Sequence, residues 1–339
     1  MTHEVSVPVD RDESRGESVV AVDSGSAAEL EALCAPRVQP RTEIFPQNAW
    51  YGAARAIQDY CGWPSRRPLP ITLPHGLDLS AAGVCPYEAR SPLPAVYSFP
   101  HYRDDAYRVG MDRIVVPGCA PWLFLDHTTS GPVAERRFVM MMPAHSSLDA
   151  RAELDHARFA ASVENEHPGA SLLCCMYWRD VQHGHHEVYL KRGIPVTSAG
   201  HVYDTGFMHR LAGLFSRTRL MVTNEFGSHV FYAASVGVPV FVRGDVDVAW
   251  IEADDPVPRP YDNTRNAPEF TAIEPLFREP APDLHAQRVA AEMMLGAERK
   301  FTPEALRETL EALWRRPGFR SRARLRWQLG TLVRRTVTG

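Results

Sequence analysis

The sequence predicts a two-domain α/β protein, and three observations support this prediction. The chain has 339 residues, which is more than one hydrophobic core usually serves. Its hydrophobic fraction of 45% and charged fraction of 23% are typical of a globular chain. From Phe138 onward, short apolar runs alternate with amphipathic stretches of helical period, which is typical of a parallel sheet with helices on both faces.

The first part of the chain is irregular. Residues 1–40 contain few large apolar side chains, so we expect a flexible leader there. Residues 41–135 are expected to form a smaller α/β domain, which begins with a helix at Asn48–Cys61 that Gly62 and Pro64 terminate. Three short strands are predicted to follow, at Leu69–Leu73, Ala95–Phe99 and Arg113–Val116.

Residues 136–250 carry the regular alternation and are expected to form the second domain. The predicted strands are Phe138–Met142, Ser171–Tyr177, Ile194–Ser198, Leu220–Thr223 and Pro239–Val242. The predicted helices are about Ala150–Asn165, Asp180–Arg192, Thr205–Arg217 and Ser228–Val236. In such a sheet, ligands bind beyond the carboxyl ends of the strands. Residues 251–339 are predicted to form a proline-rich linker and C-terminal helices near Leu284–Leu295 and Thr302–Trp314.

Composition disfavours several classes of protein. The net charge of −4 argues against a nucleic-acid partner. No run approaches the roughly 18 apolar residues of a membrane span, and residues 1–25 lack an apolar signal-peptide core, so we expect a cytoplasmic protein. The six cysteines show neither a C-x-x-C pair nor zinc-like spacing, and they are expected to be reduced and structural.

The most informative segment is Leu220–Val242, which reads as a strand, a polar turn, a short helix and a second strand. A helix beginning at Ser228 would direct unpaired backbone N–H groups towards a bound diphosphate. The candidate residues of this turn are Asn224, Glu225, Gly227, Ser228 and His229. A purely structural turn with a serine cap and a buried Asn explains the same residues equally well.

Other strand ends of this half also carry polar or aromatic residues. His145 and Ser146 follow the first predicted strand, Tyr177 and Trp178 end or follow the second, and His201 follows the third. Each residue alone is more typical of a structural role. Because the carboxyl ends of parallel strands share one edge of the sheet, their convergence favours a donor site, in which Tyr177 or Trp178 would stack on a nucleobase.

In the first half, His75 follows a predicted strand and would face a cleft between the domains. An imidazole titrates near neutral pH, so His75 is a candidate general base for an acceptor hydroxyl, although a structural role remains open. His75, His145 and Glu225 form the predicted catalytic set.

A metal or other cofactor is not expected. His183, His185 and His186 do not share one helical face, and no nearby Cys or carboxylate completes a coordination sphere. The absence of P-loop, G-x-G-x-x-G and G-x-S-x-G motifs disfavours kinase-like, NAD-dependent and serine-hydrolase functions.

Several sequence words resemble a known family. They are, in order, AWYGAARAIQDYCGWP, ITLPHG, VVPGCAPWLFL, MMPAHSS, CCMYWRDV, VTSAGHVYD and TNEFGSHVFYAASVGVPVF. They resemble GT-B-like proteins of capsule and lipopolysaccharide gene clusters, which are distantly similar to glycerophosphate- and Kdo-transferring enzymes. The resemblance covers about residues 43–245, and TNEFGSHVFYA is its most specific word.

The resemblance implies two Rossmann-like domains facing a cleft, with the acceptor domain first and the nucleotide-sugar domain second. It implies a metal-independent transferase with no cofactor beyond its nucleotide-sugar substrate. His75 matches the family's His-Gly word, and Pro74 stands where a Gln commonly precedes that word. The residues that match the family's His-Ser word and strand-to-helix turn are His145, Ser146, Asn224, Glu225, Ser228 and His229.

The leading hypothesis is therefore transfer of a sugar or similar group from a nucleotide-activated donor to a polysaccharide or lipid-linked acceptor. Two alternatives stay open, a nucleotide-sugar epimerase and a non-catalytic partner in surface-polysaccharide assembly. The segment Arg315–Arg335 contains eight arginines among apolar residues. We expect it to cover apolar surface of the main body, and peripheral contact with the inner face of the membrane is the alternative.

Overall fold

The computed structural model describes residues 26–80, 83–127, 133–147, 150–252, 255–257, 266–317 and 319. Within these ranges the chain forms an α/β structure with three sheets. The strands are β1 (Ala95–Ser98), β2 (Ile114–Pro117), β3 (Phe138–Met142), β4 (Arg151–Leu154), β5 (Ser171–Cys175), β6 (Val196–Thr197), β7 (Thr218–Thr223), β8 (Val240–Val242), β9 (Val248–Glu252) and β10 (Asp255–Val257). The α-helices are α1 (Ala27–Cys34), α2 (Ala53–Cys61), α3 (Pro86–Ala89), α4 (Arg103–Gly110), α5 (His156–Glu166), α6 (Trp178–Gln182), α7 (His186–Lys191), α8 (Phe207–Phe215), α9 (Ser228–Ser235), α10 (Pro268–Ile273), α11 (Leu284–Met294) and α12 (Pro303–Arg315).

The predicted parallel sheet is confirmed. Its five strands lie in the order β6-β5-β3-β7-β8, and every neighbouring pair is parallel. The chain runs outward from β3 in one direction through β5 and β6, and then in the other direction through β7 and β8. The strand order therefore reverses between β3 and β7, and the loops after these two strands diverge to form a crevice.

A smaller sheet lies in the first half of the chain. Strands β1 and β2 are parallel, and Thr72 adds an isolated parallel bridge to Val96. Two of the three predicted strands are therefore confirmed, and Leu69–Leu73 is reduced to that single bridge. Apolar side chains of both halves pack in one continuous cluster, which runs from Ala53 to Leu313 along the chain.

Part of the segment predicted as a flexible leader is helical, so that prediction is wrong for residues 27–34. Ser26 caps α1 by accepting a hydrogen bond from the Glu29 backbone N–H. Leu30 and Cys34 are buried, and α1 packs on α6. Tertiary contacts thus order a stretch whose own composition predicted no structure. Residues 1–25 lie outside the described residues.

Three predicted helices differ from the observed elements. Arg151–Leu154 forms β4, which pairs with β9 in the antiparallel sheet β10-β9-β4, and the helix begins after Asp155, which caps α5. Gly184, with φ 84°, separates α6 from α7. The stretch before α2 is a 3₁₀ turn with non-helical dihedrals at Trp50 and Tyr51. Strands β9 and β10 occupy part of the region that we predicted as turn and linker.

The C-terminal helices α11 and α12 agree with the prediction, and Thr302 caps α12. Arg67 anchors α12, since its guanidinium lies between the rings of Trp63 and Trp314 and pairs with Glu311 at 2.6 Å. Most of the basic segment 315–335 lies outside the described residues. In the part of the chain that the structure describes, no helix has both the length and the apolarity to cross a membrane.

Candidate functional site

Three histidines from separate segments meet at the crevice between β3 and β7. His145 follows β3, His229 stands in the first turn of α9 after β7, and His75 lies on a loop of the first half. Aromatic residues connect them. The rings of His75 and Tyr51 lie 5.4 Å apart, the hydroxyls of Tyr51 and Tyr177 lie 3.2 Å apart, and the rings of Tyr177 and His145 lie 4.7 Å apart.

The loop that carries His75 docks directly on the start of α9. The backbone N–H of Leu77 donates to Ser228 Oγ at 2.9 Å. A Cβ atom on Gly76 would lie 2.8 Å from the same hydroxyl, so a larger residue there would push Ser228 away. The structure therefore brings His75 of the first half together with Ser228 and His229 of the second.

Two of the three histidines are strongly perturbed. Burial among protein atoms, followed by the charge of His145, lowers the pKa of His75 to about 4 and that of His229 to about 3. The side chain of His75 nevertheless remains open to solvent, and that of His229 is half-buried. Both rings thus lie in a concavity, where protein surrounds them on most sides while solvent still reaches them. At neutral pH both are uncharged and each can accept a proton.

Helix α9 begins after Gly227, beside His229. Gly227 is in an extended conformation, and a Cβ there would lie 3.0 Å from Nδ1 of His229. Nε2 of His229 lies 3.3 Å from Thr223 Oγ1. Within the described ranges, no side chain caps α9, whereas Asp155 caps α5. The first N–H groups of α9 therefore add donors beside the histidines.

An aromatic wall around His75 was not predicted from the sequence. The ring of His75 lies 4.5 Å from that of Trp50 and 6.1 Å from that of Tyr87. Tyr51 has φ 55°, a left-handed conformation that is uncommon for a residue other than glycine. Its N–H donates to Val202 O at 2.6 Å, which holds the turn. Backbone strain of this kind, about 1–3 kcal/mol, is concentrated at functional sites.

A buried polar network stabilises the loop that carries His75. Arg103 is 1% exposed; it pairs with Asp78 at 3.1 Å and donates to Ser80 O at 2.9 Å. The carboxyl of Glu88 accepts the Tyr107 hydroxyl at 2.9 Å. Burial raises the pKa of Glu88 to about 7, and the hydrogen bond from Tyr107 opposes this rise. The network fixes the backbone from which His75 projects.

Two predicted donor-site residues have their side chains engaged within the protein. Asn224 Oδ1 accepts the Ala144 N–H at 2.8 Å, and its Nδ2 donates to Val246 O at 3.4 Å. These bonds join the loops after β3 and β8. Ser146 is 1% exposed, and its Oγ donates to Asp180 Oδ1 at 2.6 Å. Both residues therefore shape the loop beside His145, which is the structural interpretation that the sequence left open.

The other predicted residues divide between wall and core. Tyr177 is half-buried and lies at the site, whereas the rings of Trp178 and His201 are buried and pack on each other at 4.1 Å. Burial is the largest cause that lowers the pKa of His201. Glu225 is half-buried in the turn after β7, where its backbone N–H and C=O both bond to Thr223 Oγ1.

The histidine-rich segment after α6 contacts Asp180, which also bonds to Ser146 beside His145. The ring of His185 lies 5.8 Å from that of His183 and 4.6 Å from that of His156, and its Nδ1 lies 3.7 Å from Asp180. Among the described residues, no group of three or more Cys, His, Asp or Glu side chains is placed to hold a metal ion.

The crevice combines an anion-binding arrangement with groups that accept protons. Two neutral imidazoles, a helix N-terminus and the Ser228 hydroxyl face one space, and aromatic rings wall it on the side of the first half. Such a set can hold a phosphate group and move a proton. Neither a protein-family model nor a curated protein sequence matches this chain.

Proposed function

We propose that this chain is a metal-independent glycosyltransferase of GT-B type. It would transfer a sugar, or a similar group, from a nucleotide-activated donor to a hydroxyl of a saccharide or lipid-linked acceptor. One observation carries the proposal. His145 and His229 lie where the strand order of the parallel sheet reverses, and the docked loop of the first half presents His75 to the same space. The proposal agrees with the expected resemblance of residues 43–245 to GT-B-like proteins.

The donor phosphate would lie against the start of α9, where backbone N–H groups, Ser228 and His229 offer donors. The acceptor oxygen would then attack the reacting carbon of the donor. The bond from that carbon to the phosphate oxygen would break, and its electron pair would leave with the nucleotide. His75, which is uncharged at neutral pH, would take the proton of the acceptor hydroxyl.

The first test is a ligand panel. Purified protein is incubated with CMP, CDP, UDP and GDP and with their sugar conjugates, while thermal unfolding and release of free nucleotide are recorded. A ligand at one hundred times its dissociation constant adds about 2.7 kcal/mol to the unfolding free energy, which is readily seen. Stabilisation by one nucleotide class supports the donor site, and sugar transfer to an added acceptor supports the transferase.

Matched variants locate the effect. His75→Gln should greatly slow transfer while nucleotide binding persists, because His75 is assigned to the acceptor side. His285→Gln, on the exposed first turn of α11, should change neither property. Interconversion of two nucleotide sugars without an acceptor would instead indicate an epimerase. Absence of stabilisation by every nucleotide at millimolar concentration would contradict the donor site and favour a non-catalytic role.

A further inference from the structure

His145 is held differently from the other two histidines of the crevice. Its Nδ1 lies 3.0 Å from the carbonyl oxygen of Ser146. A carbonyl can only accept a hydrogen bond, so Nδ1 carries the proton of the neutral ring and Nε2 is left with a lone pair. The ring is half-buried and stands against Tyr177. Nε2 can therefore take a second proton without breaking the bond that orients the ring.

A buried carboxylate stands behind this arrangement. Asp180 is 2% exposed, accepts the Ser146 hydroxyl at 2.6 Å, and accepts the Ser146 backbone N–H at 3.1 Å. Asp180 thus bonds to Ser146, the same residue whose carbonyl bonds to His145. A positive charge on His145 would be stabilised through Ser146.

We propose that His145 takes up a proton when the phosphate of the donor binds, so that the bound dianion meets an imidazolium rather than a metal ion. This inference rests on the proposed function, because the dianion is the nucleotide phosphate of the donor. Asp180 and Ser146 are positioning residues in this scheme, and His75 and His229 stay neutral.

The interactions among the three histidines favour protonation of only one of them. The charge of His145 lowers the pKa of both His75 and His229, so once His145 is protonated the other two resist protonation. His75 thereby keeps the lone pair that a general base needs. The remaining titratable or charged groups of the surrounding elements are Tyr51, Asp78, Tyr87, Glu88, Arg103, Tyr177, Arg179, His185, Glu225 and Tyr232, and Nδ1 of His185 lies 3.7 Å from Asp180.

Of these groups, the two arginines are already committed. Arg103 pairs with Asp78, and Arg179 donates to the Ser147 carbonyl at 2.9 Å. Burial and a neighbouring tyrosine raise the pKa of Tyr51, and burial raises that of Tyr177, so both hydroxyls stay protonated. A proton taken from solution by His145 would place positive charge directly beside the phosphate.

The experiment measures proton uptake on binding. UDP and CMP are titrated into the full chain by calorimetry near pH 8, where the phosphate of each is fully ionised, in two buffers with different ionisation enthalpies. We expect uptake of close to one proton per bound nucleotide. We also expect the dissociation constant of the unaltered protein to rise about tenfold from pH 7 to pH 8, because one proton binds with the ligand.

Variants assign the proton. His145→Gln should abolish the uptake and flatten the pH dependence, whereas His75→Gln and the surface control His285→Gln should retain both. Nucleotide binding without uptake, or uptake that survives in His145→Gln, would overturn the inference and leave the donor site intact. Failure of every nucleotide to bind would overturn the donor site as well. If His145→Gln fails to fold, absence of proton uptake and of pH dependence in the unaltered protein would still overturn the inference.

Discussion

The backbone N–H of Leu77 donates to the hydroxyl of Ser228 at 2.9 Å, and this bond joins the two halves of the chain at the candidate site. It places the His75 loop against the first turn of α9. The partners lie 151 residues apart along the chain. Four predictions follow from this contact and its surroundings.

Replacing Ser228 by Ala should leave the Leu77 N–H without its acceptor and loosen the loop. We expect a loss of about 1–3 kcal/mol in unfolding free energy, since a buried donor loses its partner. Urea denaturation measures it. Ser162→Ala is the matched control, because the Ser162 hydroxyl donates to Phe159 O within its own helix, α5. Equal losses of unfolding free energy in the two variants would contradict the prediction, because the bond between the halves would then contribute no more than a hydroxyl bond within one helix.

Replacing Gly52 by Ala should disturb the strained turn that presents Tyr51. Gly52 has φ 77°, and a Cβ there would lie 2.5 Å from Thr205 O. Gly193→Ala is the control, because its φ of 76° is nearly the same and no atom lies within 4 Å of its Cβ. We expect Gly193→Ala to lose about 1 kcal/mol from the left-handed conformation alone, and Gly52→Ala to lose clearly more. Thermal or urea unfolding of both variants would contradict this if the losses were equal.

Glu88 should make the protein less stable as pH rises. Its pKa is about 7 in the folded protein against an ordinary value of 4.5, so the folded state binds the proton more tightly than the unfolded state. The contribution of Glu88 to the unfolding free energy is then greatest below pH 4.5, and it falls by up to about 3 kcal/mol as pH rises from 4.5 to about 7. Glu88→Gln should remove this part of the fall in urea unfolding curves, whereas exposed Glu308→Gln should not. An unchanged pH profile in Glu88→Gln would contradict the buried, protonated carboxyl.

The decrease of the transfer rate at low pH should follow the protonation of His75. Because the pKa of His75 in the free protein is about 4, kcat/KM should fall only as pH drops below about 5, where the base becomes protonated. The limb of kcat reports the donor-bound form, and a nearby dianion should shift it to higher pH. In His75→Gln the residual rate should lose this limb. A limb that persists in the variant would assign the base to another group.

Local sequence patterns alone were sufficient to predict much of this architecture. The buried runs Phe138–Met142 and Leu220–Thr223 and the helical periods between strands predicted a parallel sheet, because burial on both faces leaves a continuous apolar strand in the sequence. The same pattern placed His145, Tyr177 and His229 at one edge. The predicted helix start at Ser228 and the predicted cap at Thr302 also agree with the observed starts of α9 and α12.

Contacts between distant parts of the chain decided the rest. Arg151–Leu154 is a strand because β9 pairs with it, and α1 is a helix because α6 covers Leu30. No local pattern distinguishes a hydroxyl that binds a ligand from one that, like Ser146, is satisfied by Asp180. The left-handed turn at Tyr51 depends on its bond to Val202, and the His75 loop depends on the bond from Leu77 to Ser228. Both partners lie more than a hundred residues away in sequence, so local sequence patterns could not predict these contacts.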